Sequence, residues 1–472
     1  MHLTELVLFH SARPGALLSS KTDRRIGDTL STVPVTEIEH QGVRRTSKRD
    51  RIKRTTGKNE GATSIVDWSM SRRSQGGAMD EWATLQGLGL ADARLSKLGA
   101  RGNFLAEDGV VIQFCHFRQE NATDDVLLLT GWDESFLKYG EVISELLDAK
   151  FNVYTMDWRS QGLSGRLLLD PQLTYVKRFD DYLRDLRFFV DKVVVGECGV
   201  DPAKLTCLAH SMGAFIALLA LADGWGSSKF RRLVACSPMI RAKMGMPHAL
   251  ARWLGIALCW AGMGEMYAPG QKAIEVSKPI TSRLTTDKGR LNTWERIRQV
   301  FPLITAGGVS TRWVLEAVKA EDRFEAQTSN IDIPVLLLEA EIDDYVCTTR
   351  PFRKLAKSAA ECKIISYLQT YHEILFERNW ARAHAMKATL AFLQSGAVPA
   401  EQVSVVSPPV SDQQRSGLMG MVRSLVEGRV PSNQSSSPSK GKNEACRYWE
   451  CAAFMLVLGI GIGAGLLVTR GR

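Results

Sequence analysis

The stretch from residue 205 to residue 222 constrains the fold of this chain more than any other. The apolar residues 205–208 predict a buried strand, and residues 215–222 are apolar and favour a helix. Ser211 lies in the short segment between them, flanked at two positions on either side by Ala209 and Gly213. Small residues at these positions let the backbone turn sharply and lift a serine hydroxyl above the sheet. The stretch therefore predicts either a nucleophilic serine or an ordinary turn in which Ser211 caps the helix.

Strands and helices alternate on both sides of this stretch. Residues 179–195 carry apolar side chains at helical spacing, and a final amphipathic helix is predicted from about 378 to 394. Such an alternation is typical of a parallel sheet that helices cover on both faces. We therefore predict an α/β fold with a doubly wound, mostly parallel sheet. Further strands are predicted at residues 110–115, 126–129, 151–156, 233–236, 334–338 and 363–367.

The alternation stops between about residue 238 and residue 330. This segment carries methionine, tryptophan and leucine side chains on helical periods, with Trp253 and Trp313 among them. They fit a helical subdomain in which these side chains fill a core. They also fit a cap whose adaptable apolar surface accepts an acyl chain. Both interpretations hold together if one helix face packs and another lines a tunnel.

The ends of the chain differ from its centre. Residues 1–78 are basic and rich in serine and threonine, and we predict a disordered extension for which a transit peptide stays an alternative. The segment from Arg44 to Lys58 contains eight basic residues and one acidic residue, Asp50. Such a run is typical of a solvated tail, and contact with anionic lipid is the alternative; the lack of interleaved aromatic residues argues against nucleic acid. The folded domain is predicted over 79–396, and residues 397–446 are predicted to form a flexible linker.

The last segment, 447–472, predicts a single-pass membrane anchor. Residues 451–469 carry no charge, and at ~1.5 Å per residue they span about 28 Å, close to a bilayer core of ~30 Å. Tyr448 and Trp449 stand where an interfacial belt would lie. The short tail beyond the span and the scattered cysteines favour a catalytic domain in the cytosol. Glycines at 459, 461, 463 and 465 would allow two such helices to pair as a homodimer.

Ser211, Asp343 and His372 have the composition and order of a catalytic triad. A serine hydroxyl needs a base to attack an ester, and the base needs an acid that orients it. Each of the three follows a predicted strand. Asp344 and Glu341 compete with Asp343 for the role of the acid. The dispersed cysteines and histidines indicate no metal site, and the chemistry requires no cofactor.

Two backbone N–H groups are expected to stabilise the oxyanion. One belongs to Met212, the residue after the serine, and the other to Trp132, in the turn after the strand at 126–129. The candidate residues for substrate contact are Gly131, His210, Trp253 and Trp313.

Three motifs resemble the bacterial lysophospholipase L2 family, which is close to the monoacylglycerol lipases among serine α/β-hydrolases. They begin at Asp157 (D-W-R-S-Q-G-L-S-G-R), Phe179 (F-D-D-Y) and Ala209 (A-H-S-M-G), and the resemblance covers about residues 80–396. It implies an α/β-hydrolase fold with a helical cap, and alanine at position 209 belongs to the subgroup's pattern. The chain departs from that pattern at Ser160, Ala214 and Glu341, where glycine is usual.

These observations predict a membrane-tethered serine hydrolase that cleaves the ester of a lysophospholipid or monoacylglycerol through an acyl-enzyme. A general carboxylesterase is an alternative. An aminopeptidase is another, in which Glu341 or Glu373 would bind the substrate amine. A third is a membrane-bound adaptor that has kept the fold and lost catalysis.

Overall fold

Parallel strands form the centre of the fold. The structure, a computed structural model, describes residues 80–281, 283–398 and 405–408. The N-terminal extension 1–78 and the anchor 447–472 lie outside the described residues. The strands are β1 (Gly99–Leu105), β2 (Val111–Phe117), β3 (Asp124–Leu129), β4 (Phe151–Met156), β5 (Leu173–Thr174), β6 (Leu205–His210), β7 (Leu233–Cys236), β8 (Gly308–Val309), β9 (Val335–Ala340), β10 (Cys362–Tyr367) and β11 (Val405–Val406).

Helices fill most of the connections between these strands. Within the described ranges no helix combines the length and the hydropathy that a membrane span needs. The helices are α1 (Glu81–Gly87), α2 (Ala93–Leu98), α3 (Gly140–Asp148), α4 (Asp180–Phe188), α5 (Ser211–Ala222), α6 (His248–Trp260), α7 (Lys288–Val300), α8 (Thr311–Gln327), α9 (Thr349–Ser358) and α10 (Asn379–Ser395). A π-helical segment, Phe189–Glu197, continues α4, and 3₁₀ turns span Phe136–Tyr139, Gly226–Ser228, Pro302–Ile304, Thr328–Asn330 and Ile374–Phe376.

Nine of the strands form one sheet in the order β1-β2-β4-β3-β6-β7-β9-β10-β11. β2 runs antiparallel to β1 and to β4, and the remaining neighbours are parallel. The predicted mostly parallel α/β sheet is therefore confirmed. β1 was not predicted, because two of its seven residues are glycines, which strands disfavour, and its large apolar residues, Phe104 and Leu105, stand only at its end.

Helices cover both faces of the sheet, because successive side chains of a strand point to opposite sides. Leu127 and Leu129 of β3 belong to one buried cluster, together with apolar side chains of α4 and α5. Val126 and Leu128 belong to a second cluster, with side chains of α3 and α10. Helix α5 is buried along its whole length, which explains why its sequence is apolar on every side.

The chain between β7 and β9 contains helices α6, α7 and α8. Its short strand β8 pairs in parallel with β5, which lies in the connection after β4. The Gln172 side chain strengthens this link, since it accepts from the N–H of Ile274 at 2.7 Å and donates to its carbonyl at 3.0 Å. These bonds hold the inserted segment against the connection that follows β4.

Two segments differ from their predicted form. The predicted helix 179–195 begins as α4 but widens to a π-helix, and the N–H of Cys198 bonds to the carbonyl of Val193 five residues back. Val405 and Val406, inside the predicted linker, pair with Ser366 and Tyr367 of β10. The sheet therefore continues beyond residue 396.

Candidate active site

The turn between β6 and α5 holds Ser211 in a left-handed backbone conformation with φ of 49°. Few residues other than glycine adopt such a conformation, and a nucleophilic serine on a strand-to-helix turn is one of the known exceptions. Gly213 makes the turn sterically feasible, because a Cβ there would lie 2.3 Å from the carbonyl oxygen of Thr130. The sequence therefore folds locally so that the Ser211 side chain stands at the carboxyl end of β6.

The His372 imidazole connects Ser211 with Asp343. Its Nε2 lies 2.9 Å from the Ser211 Oγ, and its Nδ1 lies 2.6 Å from the Asp343 Oδ2. All three residues are buried. The geometry lets Nδ1–H donate to the carboxylate while Nε2 accepts from the serine hydroxyl, which is the tautomer that a general base needs.

Asp343 has additional partners that keep it ionised. Its Oδ1 accepts from the N–H groups of Tyr345 at 2.8 Å and Val346 at 2.9 Å. Burial acts to raise the pKa of Asp343, but the charge and hydrogen bond of His372 outweigh it, and the pKa lies below its ordinary value. The two competing acids point elsewhere: Asp344 pairs with Arg283, and Glu341 accepts from the N–H of Gln369.

The turn after β3 lies directly against the serine. A Cβ on Gly131 would lie 3.2 Å from the Ser211 Cβ and 2.9 Å from the His210 Nδ1, so only glycine fits there. A hydrogen bond from the Trp132 Nε1 to the Thr174 Oγ1, at 3.0 Å, fixes the Trp132 side chain. β3 and β6 are parallel neighbours in the sheet. The turn after β3 and the start of α5 therefore bring the backbone of Trp132 and Met212 to the same carboxyl edge of the sheet as Ser211.

A buried polar network that the sequence did not predict fixes this turn. The Glu134 carboxylate accepts from the Gly131 N–H, from the Tyr139 hydroxyl at 2.7 Å and from the Lys138 Nζ at 2.6 Å. It also lies 3.1 Å from the His210 Nδ1. Lys138 in turn pairs with Glu373, the residue after the candidate base, at 2.6 Å.

Charge pairing decides the protonation of this network. Burial acts to raise the pKa of Glu134, but Lys138 and His210 outweigh it and hold the pKa well below its ordinary range. Burial acts to lower the pKa of His210, but the Glu134 charge outweighs it and raises the pKa above that of a free imidazole. The His210 Nε2 is buried and has no hydrogen-bond partner among the described residues. The network therefore brings the Glu134 carboxylate, the Lys138 Nζ and the His210 imidazole close to the candidate triad.

The motif that begins at Asp157 also holds the turn that follows β3. Gln161 donates from Nε2 to the carbonyl of Gly131 at 2.7 Å. Asp157 accepts from the Ser135 hydroxyl at 2.7 Å and the Phe136 N–H at 2.8 Å, and burial raises its pKa to about 6. Ser160, where glycine is usual, has a positive φ of 65°. The motif thus holds the turn at Gly131 in place.

A cavity of about 860 Å³ opens above Ser211 and His372. Trp313 lines this cavity, as do Trp132 and His210. Trp253 does not: it is 70% exposed on the outer face of α6, where it lines a separate depression. The expectation that Trp253 contacts substrate is therefore corrected, because α6 turns Leu254 and Leu258 toward the cavity and Trp253 away from it. Among the described residues no group of three or more His, Cys, Asp or Glu side chains is arranged to hold a metal ion.

The chain matches one family model and is similar to curated lysophospholipases. The model of the serine aminopeptidase S33 family (Hydrolase_4) matches residues 120–379. Lysophospholipase L2 of Escherichia coli strain K12 is 32% identical over 302 residues, which cover 61% of this chain and 86% of the relative. A probable lysophospholipase L2 of Haemophilus influenzae is 30% identical over 271 residues, covering 57% and 83% of the two chains. The expected resemblance to the lysophospholipase L2 family is confirmed.

Solved structures support the fold. A thermostable carboxyl esterase from Bacillus coagulans in complex with glycerol superposes with a TM-score of 0.51 at 14% identity. The match covers 63% of this chain and 98% of the esterase. The described domain therefore has the α/β-hydrolase fold.

Proposed function

The chain belongs to the serine aminopeptidase S33 family of hydrolases, and we propose that it cleaves the ester of a single-chain glycerolipid through an acyl-enzyme. The observation that carries the proposal is the hydrogen-bonded sequence from Ser211 through His372 to Asp343 at the floor of a largely apolar cavity. The lysophospholipase L2 relatives support a lipid ester as the substrate.

The proposed reaction has two steps. The Ser211 Oγ attacks the ester carbonyl while the His372 Nε2 takes its proton, and Asp343 stabilises the imidazolium that forms. The tetrahedral intermediate collapses as His372 protonates the leaving glycerol oxygen, and the acyl group stays on Ser211 as an ester. Water then attacks this ester, with His372 again as the base, and releases the fatty acid.

The oxyanion of each tetrahedral intermediate accepts from the backbone N–H groups of Met212 and Trp132. Two bonds that fix the Gly131 peptide support this assignment, one from its N–H to Glu134 and one from Gln161 to its carbonyl. A turn held on both sides undergoes little reorganisation when charge develops, and this lowers the barrier.

The shape of the cavity supports a single acyl chain with a polar head. Its wall on the side of α6 and α8 is formed by apolar side chains such as Leu254, Leu258 and Val314. Glu134, Arg298 and Glu373 are polar members of the lining. An amphipathic ester would place its chain along the apolar wall and its glycerol headgroup against these polar side chains.

A peptidase function has less support. Glu373, one of two candidates to bind a substrate amine, is already paired with Lys138, and Glu341 is exposed and bonded to the Gln369 N–H. An adaptor without catalysis would not require the buried, hydrogen-bonded order of Ser211, His372 and Asp343.

We also propose that residues 447–472 tether this domain to a membrane and that residues 397–446 act as the linker. The support is the uncharged run at 451–469 together with its flanking aromatic and basic residues. The test is extraction of membranes at alkaline pH: the full chain should stay in the pellet, and a chain that ends at residue 446 should be released. Release of both would contradict the tether.

Hydrolysis of a panel of lysophospholipids, monoacylglycerols and aminoacyl amides tests the function itself. We expect hydrolysis of lipid esters by the full chain and loss of that activity in Ser211→Ala. Ser227→Ala, a surface serine, is the matched control and should behave as wild type. A fluorophosphonate should likewise label the wild type and Ser227→Ala covalently and leave Ser211→Ala unlabelled. Activity that survives in Ser211→Ala, or a folded wild type that takes no label, would contradict the proposal.

A further inference from the structure

Four lysine or arginine side chains are buried among the described residues, and one of them differs from the others. Lys138 pairs with Glu134 and Glu373, Arg159 with Asp185, and Arg382 with Glu145. The fourth, Arg298, forms no ion pair within the described residues, although it is only 5% exposed. A buried charge without a counter-ion is costly, so the other three show the usual arrangement and Arg298 requires an explanation.

Arg298 lies on α7 and lines the cavity that holds Ser211. Its one hydrogen bond is donated from Nε to the Thr305 Oγ1 at 3.2 Å. The guanidinium carbon lies 6.0 Å from the centre of the Trp294 ring, which is also part of the cavity wall. These contacts orient the side chain and leave its terminal N–H groups without a hydrogen-bonded acceptor from the described protein.

A nearby acidic group does not neutralise Arg298. Asp133 acts on Arg298 electrostatically but forms no ion pair with it, and its Oδ1 accepts from the Ala306 N–H at 2.7 Å. Burial raises the pKa of Asp133 to about 7, so much of it is uncharged near neutral pH. The polar end of the cavity therefore keeps an unmatched positive charge.

We propose that Arg298 binds the phosphate of a phospholipid headgroup while the acyl chain lies along α6. A guanidinium matches phosphate oxygens with two parallel hydrogen bonds, and the phosphate supplies the counter-ion that the protein lacks. This inference rests on the proposed function and sharpens it: a lysophospholipid becomes the preferred substrate class over a monoacylglycerol, which has no phosphate.

The test compares two inhibitors that the enzyme cannot hydrolyse. One is an ether-linked lysophosphatidic acid with an octyl chain, and the other is the same octyl glycerol ether without the phosphate. Each competes with fluorophosphonate labelling of the full chain, and the ratio of their inhibition constants measures recognition of the phosphate. We expect Arg298→Gln to reduce this ratio by about tenfold to a hundredfold and Arg298→Lys, which keeps the charge, to reduce it less.

Arg296→Gln is the matched control, because Arg296 is on the same helix, is exposed and does not line the cavity. It should keep the wild-type ratio. Because the readout is a ratio within each variant, a general loss of affinity or of folded protein does not imitate the result. Arg298→Gln with a wild-type ratio would overturn the proposal.

Inorganic phosphate distinguishes a lipid headgroup from a free anion. It should compete weakly with labelling, since it lacks the acyl chain. Inhibition by inorganic phosphate as strong as that by the lysophospholipid ether, and lost in Arg298→Gln, would overturn the headgroup assignment. Labelling and inhibition do not require turnover of a natural lipid. If the panel detects no lipid hydrolysis, the inhibition ratio therefore still tests whether Arg298 recognises the phosphate.

Discussion

The imidazole rings of His210 and His372 lie with their centroids 4.9 Å apart, inside the same buried site. His210 is held by Glu134, whose charge raises its pKa against the effect of burial, whereas His372 is held between Ser211 and Asp343. Two histidines at this distance interact electrostatically. We therefore predict that His210, which does not touch the serine, influences catalysis by His372, which does.

His210→Gln tests this influence through the pH dependence of kcat/KM. Because the pKa of His210 is raised, its positive charge persists to higher pH than that of a free imidazole and opposes protonation of His372. Removing that charge lets the base keep its proton to higher pH, so the acid limb of the profile moves upward. We expect kcat/KM at the acid end to fall by up to about tenfold relative to the plateau, equivalent to ~1.4 kcal/mol.

His384→Gln is the control for this variant. His384 lies on α10 and contacts the Tyr367 hydroxyl, away from the candidate triad. Its profile should match that of the wild type. An acid limb that stays in place in His210→Gln, or moves to lower pH, would rule out an electrostatic role for His210.

The variants Asp343→Asn and Asp344→Asn test which of two adjacent carboxylates orients His372. Asparagine at 343 keeps the shape of the side chain but favours the wrong tautomer of His372, and we expect kcat to fall by about 10³- to 10⁴-fold. Asp344 pairs with Arg283 at the surface, so Asp344→Asn should retain wild-type kcat. Steady-state hydrolysis of a soluble ester measures both. Equal losses in the two variants would contradict the choice of Asp343.

The sequence predicted the candidate triad better than its surroundings, for physical reasons. Ser211 follows a buried strand whose apolar run is visible in the sequence. Asp343 and Asp344 are adjacent on a loop without periodicity. Only the three-dimensional structure therefore shows which of the two contacts His372. Trp253 and Trp313 both lie on helical periods, and α6 has apolar residues on its outer face as well as its inner one. Periodicity therefore could not tell which tryptophan faces the cavity.

The Glu134 network was missed for a different reason. Glu134 and Lys138 are four residues apart, a spacing that is common for ion pairs on exposed helices. Their burial depends on Glu373, more than two hundred positions away, and no local pattern contains that contact. The signal that was available is the position of Glu134, directly after the turn that the sequence assigns to the oxyanion.

Glu134→Gln measures how much this network stabilises the fold. The substitution removes one of the two carboxylates around buried Lys138, and we expect the free energy of unfolding to fall by about 3 kcal/mol. Because the pKa of Glu134 is lowered by folding, its contribution is complete above the ordinary glutamate pKa and is lost as pH falls through the folded value. The difference from wild type should therefore narrow in acid.

Denaturant unfolding at several pH values checks this prediction. Glu141→Gln is the matched control: Glu141 pairs with Arg290 at 2.7 Å, but its side chain is 43% exposed, so its loss should cost at most about 1 kcal/mol. A difference between wild type and Glu134→Gln that stays constant or widens in acid would contradict the assigned charge.

Leu258→Trp tests whether the inner face of α6 holds the acyl chain. Leu258 lines the cavity above Ser211, and a larger side chain there fills space that a long chain would occupy. We expect kcat/KM for long-chain esters to fall by at least about tenfold relative to short-chain esters, because a pocket discriminates by roughly that factor for each lost methylene. Ile256→Trp places the same side chain on the same helix but beside Trp253, outside this cavity, and should leave the chain-length profile unchanged. If both variants shift the profile equally, the acyl chain does not follow the inner face of α6, and the cavity wall assigned to it belongs to another part of the substrate.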